Sequence, residues 1–255
     1  GWDAARWLTD ARSESSPGFA DAYAARIARR AAYEPVAYIT GHREFAGRDF
    51  LVTPAVLIPR PDTEVLVDAA IARTRACDRP APLVVDVGTG SGCVAISLAA
   101  ECPTARVVAT DVSPDAIEVA RRNAAAIGVS DRVAFRQGSM LAGLADAPDL
   151  IVSNPPYIRD ADRSTLPPDV AHYEPALALD GGPDGLDAIR LLIASAAALA
   201  PGGWLLFEMA FDQETDVRAL VASSALEAVD VLPDIEARPR VMVARRTPRP
   251  ASLAS

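Results

Sequence analysis

The sequence predicts an α/β fold: a seven-stranded, mostly parallel sheet preceded by a small helical domain and a β-hairpin. Half of the 255 residues are apolar, which suits a single core, since cores stop growing at about 250–300 residues. From about residue 65, short apolar runs alternate with helical patterns, which is typical of a parallel sheet covered on both faces. The last two runs are joined by a short connection containing Pro233 and Pro239, so the final strand is expected to be antiparallel to its neighbour.

The first 60 residues precede this alternation. Apolar residues recur at helical spacing within residues 1–40, and Ser15–Gly18 interrupt them, so a small helical domain is predicted. The residues on this spacing are Trp2, Ala5, Leu8, Phe19, Tyr23 and Ile27. Residues 41–60 change to short β-like runs around Gly47, which predicts a hairpin linker. Because the sequence begins with Gly1 and not Met, we expect an N-terminal piece to be missing.

Residues 61–246 are predicted to form the main, catalytic domain, and residues 247–255 a flexible tail. The predicted strands are Leu83–Val87, Arg106–Thr110, Val133–Arg136, Leu150–Ser153, Trp204–Glu208, Val229–Leu232 and Val241–Ala244. Apolar helical patterns lie between most of them, for example at Ala116–Ile127 and Ala188–Leu199.

Charge and cysteine content narrow the class of protein. The formal net charge is −9, whereas a duplex binder usually has a basic face, so we expect no direct nucleic-acid binding and favour a basic protein partner. The three cysteines have no CxxC spacing, which argues against a zinc site or disulfide framework and favours the reducing cytoplasm. With no apolar run of about 18 residues, no membrane span is expected. His42 and His172 lie too far apart in sequence to suggest a metal site or a hydrolase.

A glycine-rich turn follows the first predicted strand of the sheet. Asp86 and Val87 end that strand, Gly88, Thr89, Gly90, Ser91 and Gly92 follow, and a helical pattern starts at Cys93. A turn of this kind beside a helix N-terminus forms a nucleotide-binding crevice. It could instead only pack strand against helix. A dinucleotide fold needs GxGxxG, but Cys93 stands where the third glycine would be, so S-adenosylmethionine is the favoured ligand.

The second strand of the sheet ends in an acidic residue. Asp111 can accept hydrogen bonds from both ribose hydroxyls of an adenosine, or it can simply help to start the next helix. Ser113 before Pro114 is a good N-cap, and the two roles are compatible. Met140 follows the third strand and either lies against the adenine or only packs.

The tetrapeptide Asn154, Pro155, Pro156 and Tyr157 follows the fourth strand. Because two prolines cannot continue a strand, the chain must turn out of the sheet here, which places Asn154 at the carboxyl edge beside the expected methyl donor. The Asn154 side-chain oxygen and the Pro155 carbonyl can each accept one N–H of a substrate amide. That contact would aim the weakly nucleophilic nitrogen at the methyl group, with Tyr157 stacked on the amide or beside the cationic transition state. A merely rigid turn is the alternative.

Other charged residues near these motifs have two interpretations. Arg60 and Glu64 either line the cofactor mouth or pair with each other. Glu174 and Asp184 are expected to order the long, proline-containing segment 158–183, a type of loop that often serves as a lid.

With these motifs, the chain resembles the release-factor glutamine N5-methyltransferases from about residue 32 to residue 246. The matching stretches are Glu34–Gly41, Arg43–Phe45, Leu57–Glu64, Gly88–Gly92, Asn154–Ile158, Glu174–Pro175 and Gly181–Asp187. Of these, Ile58–Glu64 is the most specific, because methyltransferases in general lack it.

The resemblance implies a class I (Rossmann-like) S-adenosylmethionine-dependent methyltransferase domain acting on the glutamine of the Gly-Gly-Gln motif in class I release factors. It implies that Gly88–Gly92, Asp111, Met140 and Asn154 bind the cofactor and that Asn154–Tyr157 bind the glutamine. It also implies that the helical domain of residues 1–40 docks the substrate. We expect a cytoplasmic monomer.

This chain departs from the family at two places and in the length of its helical domain. Ala210 and Ala237 stand where the family usually has glycine, and the helical domain is shorter than the usual five helices. Methylation of a ribosomal-protein glutamine, adenine-N6 methylation of nucleic acid, and a degenerate nucleotide-binding module are the alternatives.

Overall fold

The computed structural model describes residues 4–10 and 17–247. The predictions made for Trp2, for the break at Ser15 and for the tail beyond Thr247 lie outside these residues. No helix within the described ranges is both long and apolar enough to cross a bilayer.

In the described residues before the hairpin, the chain forms helices α1 (Ala4–Asp10), α2 (Phe19–Ala31) and α3 (Val36–Thr40). The predicted helical spacing in α2 is correct, and the Phe19 and Tyr23 rings stack with centroids 5.8 Å apart. No residue of α2 is buried, however, so its apolar stripe faces outward instead of packing on the described part of the chain.

The predicted hairpin consists of β1 (His42–Phe45) and β2 (Arg48–Leu51). Gly47 makes the turn possible because its φ is 72°, which side chains disfavour. Phe45 and Phe50 are buried edge to face, with ring centroids 6.1 Å apart. The hairpin is therefore packed onto the main domain through its own aromatic pair.

Seven strands form the main sheet, in the order β5-β4-β3-β6-β7-β9-β8. They are β3 (Leu83–Val87), β4 (Arg106–Asp111), β5 (Val133–Gln137), β6 (Leu150–Ser153), β7 (Trp204–Glu208), β8 (Leu226–Pro233) and β9 (Pro239–Arg246). Strand β9 is antiparallel to both of its neighbours, and β3 to β7 are mutually parallel, which confirms the predicted single reversed strand. Strands β8 and β9 are longer than predicted. The polar, exposed residues of β8 and its bulge near Asp230 hide the apolar alternation there.

Helices cover both faces of this sheet. They are α4 (Thr63–Arg75), α5 (Cys93–Glu101), α6 (Pro114–Ile127), α8 (Asp187–Ser195) and α9 (Glu214–Ala222). A further short helix, α7 (Pro168–Tyr173), lies in the segment after β6 and has no buried residue. One apolar core packs α4 and α5 on one face, and a second packs α8 and α9 on the other. In the register, Ser153 pairs with both Val87 and Phe207, so the carboxyl ends of β3, β6 and β7 are level.

Candidate active site

A cavity of about 240 Å³ opens at the carboxyl ends of β3, β4 and β6. Its lining includes the following predicted site residues: Gly88, Thr89, Gly90, Ser91, Asp111, Met140, Asn154, Pro155 and Pro156. Gly92 and Tyr157 are the predicted site residues that do not line it. The exposed side chains of Val112 and Leu177 add apolar surface at its rim.

The glycines of the loop after β3 have two different roles. Gly88 and Gly90 have φ values of 71° and 54°, and a Cβ on either would meet no atom within 4 Å. They therefore leave open space against the cavity. At Gly92, by contrast, a Cβ would lie 2.8 Å from Ile96 Cδ1. A Cβ there would also lie 3.1 Å from Ala120 Cβ of α6, so Gly92 allows α5 and α6 to pack closely. Its predicted contact with the cofactor stays a prediction.

Asp86 holds the glycine loop from beneath. The Thr89 hydroxyl and the Ala95 backbone N–H donate to its Oδ2 over 2.6 and 3.2 Å. The side chain is 1% exposed, and this burial raises the pKa of Asp86 to about 7. Asp86 thus fixes the loop to the first turn of α5.

Asp111 lines the cavity and helps to start α6, the second of its two predicted roles. Its two oxygens accept the backbone N–H groups of Gly90 and Ser113, each over 2.9 Å. Ser113 caps α6 by accepting the Ala116 N–H at 3.2 Å. Because each carboxylate oxygen has a second lone pair, Asp111 is held rigidly at the cavity wall and can still accept ligand hydroxyls.

Met140 also borders the cavity, in a strained conformation. Its φ is 51°, a left-handed value that is uncommon for a residue with a side chain. The Thr110 hydroxyl donates to its carbonyl over 2.8 Å. The tertiary structure therefore holds this turn in place, and strain of this kind is common at ligand sites.

The two residues predicted to supply acceptors at the end of β6, Asn154 and Pro155, both line the cavity. Asn154 Nδ2 donates to the Thr63 hydroxyl over 3.2 Å, so the Asn154 oxygen is directed away from Thr63. Within the described part of the chain, no group donates to the Pro155 carbonyl. Two acceptors therefore stand close together at the carboxyl edge of the sheet.

Tyr157 is absent from the cavity lining, is half-buried and packs against the second core. Burial, with the nearby Glu208 carboxylate, raises the pKa of its hydroxyl to about 12. Its backbone carbonyl accepts the side-chain amide of buried Gln213 over 3.2 Å. Tyr157 thus anchors the turn, a placement that sequence spacing did not predict.

Arg60 lines the cavity and pairs with Glu174, not with Glu64. The Glu174 side chain is 1% exposed and also accepts the Ile58 N–H over 3.3 Å. Desolvation raises the pKa of Glu174, although Arg60 opposes the rise. Glu64 instead accepts the Ala46 N–H. The pair joins the segment after β6 to the start of the main domain, as predicted for Glu174.

Three buried polar residues at or near the cavity escaped prediction: Thr63, which lines it, Glu208 and Gln213, all at most 2% exposed. Thr63 belongs to Ile58–Glu64, the most specific stretch of the family resemblance, and this was the sequence signal that could have identified it. Among the described residues, no group of three or more histidine, cysteine or acidic side chains is placed to bind a metal ion.

This arrangement defines a class I methyltransferase: a sheet with one reversed strand, a glycine loop after β3, an acidic residue after β4 and an Asn-Pro-Pro-Tyr turn after β6. The family models that match describe a methyltransferase small domain, over residues 64–168, and a PrmC N-terminal domain, over residues 1–41. The release factor glutamine methyltransferase of Moorella thermoacetica is 48% identical over 94% of this chain and 85% of its own length. That of Cereibacter sphaeroides is 46% identical over 90% and 81%. The chain therefore belongs to the release factor glutamine methyltransferase family, whose members depend on S-adenosylmethionine.

Solved structures agree on the fold alone. A ribosomal protein L11 methylase from Lactobacillus delbrueckii subsp. bulgaricus superposes with a TM-score of 0.55 at 24% identity, covering 74% of this chain and 80% of its own.

Proposed function

We propose that this protein transfers a methyl group from S-adenosylmethionine to the side-chain N5 of the glutamine in the Gly-Gly-Gln motif of class I release factors. The observation that carries the proposal is the pair of unoccupied acceptors, Asn154 Oδ1 and the Pro155 carbonyl, at the edge of the cavity. The names of its relatives support a release factor as substrate. Release factors work in the cytoplasm, where we expect this chain to act as a monomer.

The cavity fits the cofactor by its chemistry. The open backbone at Gly88 and Gly90 suits the close approach of a ligand. Asp111 would accept the ribose hydroxyls, and the apolar side chains of Met140 and Val112 would lie against the adenine. When bound, the cofactor supplies an electrophilic methyl group on a positively charged sulfur.

The protein's task is to hold a poor nucleophile. The lone pair of an amide nitrogen is delocalised into its carbonyl, so the ground-state amide reacts slowly. Asn154 Oδ1 and the Pro155 carbonyl would each accept one N–H of the substrate amide, fixing the nitrogen and turning its lone pair toward the methyl group. Orientation of this kind can lower a barrier by several kcal/mol, within the limit of about 7–11 kcal/mol known for well-aligned reactions. Once the methyl group is transferred, the nitrogen loses a proton readily, and no strong base is needed.

The test uses labelled methyl donor with purified release factor, with a release factor whose motif glutamine is changed to alanine, with ribosomal protein and with DNA. Label on the unchanged release factor alone is expected. Label on ribosomal protein or on nucleic acid, with none on release factor, would reject the proposal.

The variant Asn154→Ala separates chemistry from cofactor binding. Loss of one acceptor that acts mainly in the transition state is expected to lower kcat about 100-fold. The cofactor dissociation constant, measured by calorimetry, should change little. An equal loss in cofactor affinity would make Asn154 a cofactor ligand only.

A further inference from the structure

Half-buried Asn154 adjoins two buried polar side chains, Thr63 and Glu208. Asn154 directly follows β6 and Glu208 ends β7, and because Ser153 pairs with Phe207, the two lie side by side. Thr63 begins α4, the helix that packs on both strands. Thr63 and Glu208 are 2% and 1% exposed, so water has little access to either side chain and cannot readily take the place of a hydrogen-bond partner.

The hydrogen bonds among these three residues have a fixed direction. The Thr63 hydroxyl accepts Asn154 Nδ2–H over 3.2 Å. It also lies close enough to the Glu208 carboxylate to lower the pKa of Glu208, so this carboxylate is the acceptor available to the single Thr63 hydrogen. Glu208 Oε1 is buried without a hydrogen-bond partner among the described residues, which leaves the carboxylate a strong acceptor. An ionised Glu208 can only accept, so Thr63 must accept from Asn154.

The direction matters because the two ends of an asparagine amide have nearly the same shape but opposite hydrogen-bonding character. With nitrogen toward Thr63, the Asn154 oxygen faces the cavity as an acceptor. In the reversed amide, two N–H donors would face the –NH2 of the substrate, and donor would oppose donor.

We infer that Thr63 and Glu208 are positioning residues that fix the Asn154 amide with its oxygen toward the substrate nitrogen. The inference rests on the proposed function, because it assigns Asn154 Oδ1 the task of accepting from the substrate amide. It adds two residues that act through Asn154.

Protonation of Glu208 would release this orientation. Burial raises the pKa of Glu208 to about 7, against the lowering effects of Thr63 and Arg240. The other titratable or charged groups that interact with Glu208 are Asp62, Arg60, Tyr157 and Cys93. A protonated Glu208 donates to Thr63, which can then donate to a reversed Asn154. The correctly oriented fraction should therefore rise with pH through the titration of Glu208.

The chain offers an unusually direct test, because Asn123 and Asn154 are its only asparagines. Protein labelled with ¹⁵N at asparagine alone gives two side-chain NH2 signals by NMR, assigned by the loss of one pair in Asn154→Ala. Buried Asn123 donates to the Leu51 and Ser91 carbonyls and is an internal control.

Between about pH 5 and about pH 9, a range that spans the titration of a group near 7, the Asn154 side-chain signals should shift and those of Asn123 should stay. Thr63→Val and Glu208→Gln should each abolish the shift. The matched control is Thr74→Val, a buried threonine of the same helix whose hydroxyl donates to the Ala70 carbonyl. The inference would be overturned if the chemical shifts of the Asn154 side chain changed neither with pH in the unaltered protein nor on the substitution Thr63→Val.

Kinetics give the second readout. Thr63→Val should lower kcat about 10- to 100-fold, as expected for losing one buried hydrogen bond, with little change in cofactor affinity. Thr63→Ser should restore most of the rate, and Thr74→Val should match the unaltered enzyme. If Thr63→Val does not fold, the positioning role is tested by the rate of Thr63→Ser and by whether the Asn154 signals of Glu208→Gln shift with pH. No transfer to release factor by the unaltered protein would reject the proposed function, whereas normal transfer by Thr63→Val would reject only the positioning role.

Discussion

Gly92 provides a test of whether the glycines of the loop after β3 have two different roles, packing at Gly92 and an open cavity wall at Gly90. Its φ is +83°, and an added Cβ would lie 2.8 Å from Ile96 Cδ1, 3.1 Å from Ala120 Cβ and 3.3 Å from Ala120 Cα. The last contact is with backbone of α6, so it cannot be relieved by rotating a side chain. Gly92→Ala must therefore strain its own backbone and also push two helices apart.

The two costs can be estimated separately. A left-handed conformation costs a residue with a side chain about 1–2 kcal/mol relative to glycine, and overpacking a close-packed core adds about 1–3 kcal/mol. Gly92→Ala should thus lower the free energy of unfolding by about 2–5 kcal/mol. Gly90→Ala is the matched control: its φ is +54° and its Cβ would meet nothing within 4 Å, so only the conformational cost of about 1–2 kcal/mol applies.

Urea unfolding measures the stability of both variants, and calorimetric titration measures their affinity for S-adenosylmethionine. Gly92→Ala should lose more stability, and Gly90→Ala should lose more cofactor affinity, because Gly90 lines the cavity and Gly92 does not. If the two variants lose equal stability, the packing assigned to Gly92 is wrong. If Gly90→Ala binds cofactor normally, the cofactor does not approach that part of the loop.

Three further predictions concern other parts of the site and the β8–β9 turn. Asp111→Ala should weaken cofactor binding about 10- to 100-fold, measured by calorimetry, and unchanged affinity would remove Asp111 from the site. Arg60→Met leaves buried Glu174 unpaired and should cost about 2–3 kcal/mol in urea unfolding at pH 8, less than for a wholly buried pair because Arg60 is partly exposed. Burial raises the pKa of Glu174, so this cost should shrink as the pH falls and Glu174 takes up a proton, and a pH-independent cost would contradict the pairing. Ala237 has a φ of 61°, so Ala237→Gly should raise the unfolding free energy by about 1 kcal/mol, and a destabilised variant would contradict this.

Local pattern was sufficient for most of the architecture. Continuous apolar runs predicted the bounds of β3, β6 and β7 correctly, since a strand buried on both faces carries a plain signal. Edge strand β8 was predicted too short because its exposed polar residues break that signal. The Ser113 cap of α6 was predicted correctly, because capping depends on residues three apart.

The candidate site was predictable wherever backbone geometry decides it. Two consecutive prolines end a strand, and glycine permits a positive φ, irrespective of the surrounding residues. The loop after β3, Asp111 and the acceptors after β6 therefore meet at one edge of the sheet, as their positions after parallel strands require.

The sequence by itself determined the class of fold, the order of its elements and the residues at the carboxyl edge, because these follow from periodicity and backbone chemistry over short spans. Only the tertiary structure decided which distant side chains pair behind that edge: Thr63 with Asn154, 91 residues apart, and Arg60 with Glu174, 114 apart. It also decided that Gly92 lies where α5 and α6 pack closely and that Tyr157 packs against the second core. Such contacts depend on how helices close over the sheet, and no local pattern records the space that remains between packed elements.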